Sequence, residues 1–164
     1  MALEEEKRAI VAFIKGRSPD FTALAEELYR QPETGLCEVA SSALLAAFLE
    51  REGFAVERGC AGLATAFRAT WGSGGPVVAL LAEMDALPQL GHACGHNIIA
   101  AAALGAATAL RHQLPDAAGR IVVLGTPAEE LGIGKVELIR HGLFADVDFA
   151  LMVHPSSRRQ SPAR

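Results

Sequence analysis

Apolar positions recur with two different periods along this chain, and the switches between them divide it into helices and strands. Over residues 3–15, Ile10, Val11, Phe13 and Ile14 form a helical stripe among charges, and Gly16 supplies a stop. Ser18-Pro19-Asp20 then offers a cap and a first-turn proline to a second helix through Phe21, Leu24, Leu28 and Tyr29, which Gln31-Pro32 ends. A turn rich in Pro32, Glu33, Thr34 and Gly35 leads to a third helix over 39–52, with Leu44, Leu45, Phe48 and Leu49 facing inward. Residues 54–58 and 63–70 read as strands joined around Gly59 and Gly62, followed by a flexible turn at Trp71-Gly72-Ser73-Gly74-Gly75. Residues 76–82 form a fully apolar strand. The helix after Cys94 has almost no polar face through Leu110, which predicts burial between a sheet and another layer. A strand over 120–125, a short amphipathic helix over 135–141 and an apolar strand over 149–153 complete the order.

Strands alternating with helices predict an α/β fold with a mostly parallel central sheet and helices on both faces. At 164 residues the chain holds one core of ordinary size, and its hydrophobic half draws on alanine while aromatics stay at 5%. That composition suits closely packed helices on a sheet better than an all-β sandwich. A formal charge of −4 argues against nucleic acid as the main partner. No apolar run is long enough to span a bilayer and the N-terminus, MALEEEKR, is acidic, so a cytoplasmic protein without a membrane partner is expected. Three cysteines, Cys37, Cys60 and Cys94, do not read as a disulfide framework.

Chemistry concentrates where apolar strands end. Cys94 and His96 are separated by one glycine, which lets a thiolate and an imidazole reach a common centre, and that donor pair favours zinc or a similar transition metal over magnesium or calcium. Glu83, Asp85 and His92 lie in the same short stretch; Asp85, at the strand's carboxyl end, is placed to orient a ligand. By itself the Cys94/His96 pair reads more simply as a buried structural cysteine beside a turn histidine, because most such pairs bind nothing. Glu129-Glu130 follows the strand at 121–125, and adjacent glutamates point in different directions, so one is free to coordinate metal and the other to hold a water. Taken alone, the pair reads more simply as a solvated helix N-terminus, and His154 as a hydrogen-bonded loop histidine. Three such clusters, each after a buried apolar run, favour a shared metal site at one sheet edge. A purely structural zinc site fits less well, because such sites are closed by four protein ligands and seldom carry a spare glutamate.

The stretches LYRQPETGLCEVASSALLAAFLEREGF, LLAEMDALPQLGHACGHNIIAAAALGAA and GTPAEELGIGKVELIRHGLFADVDFALMVHP together resemble the M20 metallopeptidases. The GHACGHN form points to their amidohydrolase branch, which includes aminobenzoyl-glutamate hydrolase-like and aminoacylase-1-like dipeptidase proteins. The resemblance implies a zinc-peptidase-like catalytic domain in which Cys94, His96, Glu130 and His154 bind a pair of divalent ions, zinc or manganese. It implies Glu129 as general base, Asp85 as the residue that orients the site, and amide bonds of N-acyl or N-aryl amino acids or of small dipeptides as substrates. Family members are longer, with a lid and dimerisation domain and a second half of the catalytic domain that supplies a further histidine. Residues 1–155 are therefore expected to form a partial catalytic domain without the lid, and the polar, basic residues 156–164 a disordered tail. The competing expectation is a non-catalytic half-domain that binds metal, itself or a complementary chain.

Overall fold

A computed structural model describes residues 2–115 and 118–156. Helices α1 (Ala2–Gly16), α2 (Ser18–Arg30) and α3 (Val39–Arg51) precede β1 (Ala55–Arg58), a 3-10 turn (Cys60–Gly62), β2 (Phe67–Ser73) and β3 (Val77–Glu83). Helix α4 (His96–Gln113), β4 (Gly119–Thr126), α5 (Gly134–Arg140) and β5 (Phe149–Leu151) follow. The expected tail lies, from residue 157 on, outside the described residues.

The five strands form one sheet in the order β1-β2-β4-β3-β5. Strand β3 runs parallel to β4 and β5, whereas β2 is antiparallel to both β1 and β4, so β2 alone is reversed and the sheet is mostly parallel. Three strand boundaries differ from the sequence reading by more than one residue. Strand β2 starts at Phe67, not at 63, because the 3-10 turn and the Ala66 N–H to Leu63 carbonyl bond (3.0 Å) keep the chain curled through 66. It also runs on through Trp71-Gly72-Ser73, read above as a turn, because pairing of Trp71 with Ile121 and Ser73 with Gly119 holds the glycine in the ladder. The last strand stops at Leu151, having paired only with Val78–Leu80 of β3.

The main core lies between the sheet and α2, α3 and α4, where Leu28, Leu45, Leu49, Phe67 and Leu104 are fully buried. Truncating one such leucine to alanine costs about 2–5 kcal/mol. The alanine run of α4 lets it sit close between sheet and α2; a β-carbon on Gly105 would lie 3.4 Å from the Phe21 ring. On the other face, Val77, Ala79, Val122 and Leu124 pack against Leu143, Phe144 and Val147, and Leu138 of α5 fills a smaller cluster beside Cys60.

This topology brings the strand ends together. Glu83 at the end of β3 is in register with Thr126 at the end of β4. Leu80 pairs with Leu151, so Glu83 and His154, each three residues further on, arrive at the same edge. The αL turn at Gly95 (φ 82°) starts α4 there as well.

Candidate metal centre

His96 is the hub. It opens α4 and is almost fully buried, and its Nδ1 faces two acceptors: the Asp85 carbonyl at 2.8 Å and the Asp85 carboxylate at 3.0 Å. A neutral ring therefore carries its proton on Nδ1 and offers the Nε2 lone pair to the site. Around Nε2 stand Glu83 Oε2 at 3.3 Å, Glu129 Oε2 at 3.7 Å and Glu130 Oε1 at 3.8 Å. The His154 ring lies 6.3 Å from that of His96, edge to face.

Among the described residues, two triples have ligand atoms within 4.8 Å of one another: Glu83, His96 and His154, and His96, Glu129 and Glu130. Cys94 belongs to neither triple, but its thiol lies close enough to Glu130 for that carboxylate to raise its pKa. The structure thus brings Cys94, His96, Glu129, Glu130 and His154 to one sheet edge, with Asp85 behind His96. His154 is exposed, and it is held in place through its neighbour: a β-carbon on Gly95 would meet the Pro155 ring at 2.8 Å, so only glycine allows this approach.

The local electrostatics fit a cation. Burial would raise the Asp85 pKa, but hydrogen bonds from His96 and from the Glu130 N–H (3.0 Å) outweigh it and hold the carboxyl below its ordinary range. Burial would lower the His96 pKa, and the Asp85 hydrogen bond with the charges of Asp85 and Glu83 lifts it above its usual value instead. The Glu130 carboxylate, then burial and the other carboxylates, push the Cys94 thiol up to about 11, so a soft cation binding there must displace a proton. Glu83 Oε2 and His96 Nε2 are both buried without a hydrogen-bond partner, although they face each other. Unpaired buried polar atoms are costly, and a divalent ion among these donors would satisfy both.

Glu83 is the site residue that sequence reasoning left without a role. It ends an otherwise apolar strand, is 1% exposed, and Lys135 of α5 pairs with its other oxygen. A single carboxylate closing an apolar strand was the available signal; that it faces His96 was not. His92 is buried beside the site, its pKa lowered by burial and by the charge of His96. Neither of its ring nitrogens makes a hydrogen bond of good geometry, although the Leu28 backbone lies near enough to favour the protonated ring. A larger cavity of about 630 Å³ between α1, α2 and α4, lined by Phe21, Ala25, Tyr29 and Ile98, contains none of these groups.

Residues 79–161, about half of the chain and the part that carries this edge, match peptidase family M20/M25/M40. The chain belongs to that family. Among curated relatives, a p-aminobenzoyl-glutamate hydrolase subunit of Escherichia coli (strain K12) is 37% identical, over 94% of this chain and 36% of its own length. The Xaa-Arg dipeptidase of Mus musculus is 41% identical, over 94% of this chain and 39% of its own. The chain therefore spans well under half the length of the curated relatives it matches. A solved structure from methicillin resistant Staphylococcus aureus superposes with a TM-score of 0.82 at 28% identity, covering 92% of this chain and 42% of that one. A Bacillus subtilis protein described as a dinuclear metal binding peptidase from the M20 family superposes at 0.75 with 25% identity, covering 83% and 42%.

Proposed function

We propose that this M20 chain is part of a metal-dependent hydrolase acting on amide bonds of N-acyl or N-aryl amino acids or small dipeptides. The observation that supports it most is the buried, unpartnered pair His96 Nε2 and Glu83 Oε2, set among Glu129, Glu130 and His154. The names of the relatives above, a hydrolase and a dipeptidase, support the same substrate classes. Cys94, His96, Glu130 and His154 would hold a pair of divalent ions, zinc or manganese, with Glu83 as a further donor. Bound ions of this kind supply Lewis acidity to an amide carbonyl and to the attacking water. Glu129, the more exposed of the tandem carboxylates at 40%, is free to take the proton from that water and return it to the leaving amine. Asp85 fixes the His96 tautomer and the turn bearing both glutamates. Three free thiols, Cys37, Cys60 and Cys94, agree with a cytoplasmic setting, and among the described residues no helix is long and apolar enough to cross a membrane.

The test separates the two glutamates. Glu130→Gln is expected to lower bound zinc or manganese, measured by elemental analysis, while Glu129→Gln leaves it almost unchanged, because coordination needs the ligand's charge whereas a base acts only in turnover. Equal metal loss in both variants overturns the assignment of roles, and no metal in the wild-type chain overturns the reading.

A second reading rests on the sheet edge. Phe149, Leu151 and Val153 are 61%, 55% and 72% exposed on or just beyond edge strand β5, beside an apolar groove of about 270 Å³ that Leu80, Leu81, Ala103 and Ala106 also line. An unpaired apolar edge of this kind favours pairing with another chain. In this reading the chain is a non-catalytic half-domain that binds metal and pairs along this edge with itself or a complementary chain.

A further inference from the structure

Glu38 is fully buried, and the chemistry proposed above leaves it without a role. It immediately precedes α3, and both carboxylate oxygens are engaged: Oε2 accepts from the Thr65 hydroxyl at 2.9 Å and Oε1 from the backbone N–H of Ala128 at 2.7 Å. Ala128 is itself buried and sits at φ 54°, in the left-handed region that a residue with a β-carbon rarely adopts. Its carbonyl accepts from the Ile133 N–H at 3.2 Å, so the peptides on both sides of the Ala128 Cα are held. The next two residues are Glu129 and Glu130. Rotation about the Ala128 backbone would swing both carboxylates away from His96.

Glu38 belongs to a segment that touches both arms of the site. The Glu33 carbonyl accepts from the N–H of Ala86, next to Asp85, at 2.7 Å. Gly35 packs so closely that a β-carbon there would lie 3.1 Å from the Ala128 Cα. Asp85 holds the Glu130 N–H from the β3 side, and Glu38 holds the Ala128 N–H from the α3 side. Two buried carboxyl groups thus brace the tandem-glutamate turn.

We propose that Glu38 is a positioning residue that keeps Glu129 and Glu130 aimed at His96 by fixing the Ala128 peptide, without touching metal or substrate itself. What the glutamates do rests on the reading above; the brace does not. Glutamine can preserve it, its oxygen accepting from Ala128 and its amide donating to Thr65, whereas alanine leaves the Ala128 N–H buried without a partner.

The experiment uses the 164-residue chain. Amide exchange is followed residue by residue by NMR, and binding of cobalt(II), whose d–d bands report ligand geometry, by titration. In Glu38→Ala, the Ala128 and Glu130 amides should exchange at least about tenfold faster while the centre of β4 keeps its protection. Cobalt affinity should fall by about tenfold, with altered d–d bands. Glu38→Gln should restore both readouts to within about twofold, and Thr65→Val, which removes only the other anchor, should leave the cobalt spectrum as in wild type. Should Glu38→Ala not fold, Glu38→Asp, which withdraws the carboxylate by one methylene, should show the same loosening confined to the turn. Unchanged exchange and spectrum in these variants overturns the proposal, as does equal loosening of β4 and the turn in both Glu38→Ala and Thr65→Val. A wild-type chain that binds no cobalt refutes the metal reading instead, and the exchange pattern still decides the brace.

Discussion

Replacing Asp85 by asparagine tests how the site is organised with almost no change in shape. Asp85 is 1% exposed and serves two donors, His96 Nδ1–H and the Glu130 N–H, each at 3.0 Å. An asparagine has one oxygen for these two positions. If the oxygen stays with Glu130, the amide NH₂ faces Nδ1 and opposes the Asp85 backbone carbonyl, which still accepts from Nδ1–H at 2.8 Å, so the tautomer that offers Nε2 to the metal is less favoured than in wild type. If the oxygen turns to His96, the Glu130 N–H is buried against a donor. Loss of such a supporting partner typically costs 10–100-fold in metal affinity, or about 1.4–2.8 kcal/mol at 1.4 kcal/mol per tenfold. The cost to the metal-free fold has the same sign. The folded-state pKa of Asp85 is depressed, so at neutral pH folding favours its ionised form, and losing one buried partner costs about 1–3 kcal/mol. Zinc affinity is to be measured at neutral pH by competition with a chromophoric chelator, alongside thermal unfolding without metal. Affinity within about twofold of wild type, in a variant that melts as wild type does, would refute the argument that Asp85 sets the His96 tautomer.

Two further outcomes follow from other parts of the fold. Burial would raise the Glu33 pKa, but N–H donors of Ser41 and Ala40 and the Ser41 hydroxyl, at 2.7–3.0 Å, outweigh it and depress the folded-state value. Its stabilising effect is therefore present above the unfolded value of about 4.3 and is lost as pH falls through the lower folded value. Glu33→Gln should flatten that part of the pH–stability curve, and a denaturation series showing the same acid slope in both proteins contradicts it. At the exposed edge, Leu151→Lys should shift the chain toward monomer in sedimentation, because a lysine on an edge strand disfavours strand pairing; unchanged association would place the contact elsewhere.

Much of the fold and site was legible in the sequence because the signals are local. The stripe of Phe21, Leu24 and Leu28, the glycine stop at Gly16, the apolar run of β3 and the alanine-rich α4 each follow from side-chain periodicity and backbone preference within a few residues. The placement of Cys94, His96, Glu129, Glu130 and His154 after strands was equally visible, and parallel strands bring their carboxyl ends to one edge. What the sequence left open depends on contacts between distant segments. The reversal of β2 and the persistence of Trp71-Gly72-Ser73 as strand were decided by pairing with β4. Glu83 became a candidate ligand only because β3 and the start of α4 place it 3.3 Å from His96. Glu38 acquired its partner 90 residues away, at the Ala128 amide, where nothing near either residue announces the contact. Local rules fix which elements form, whereas a buried carboxylate's partner is set by how those elements pack, since burial demands that each polar atom find a donor or an ion wherever the fold supplies one.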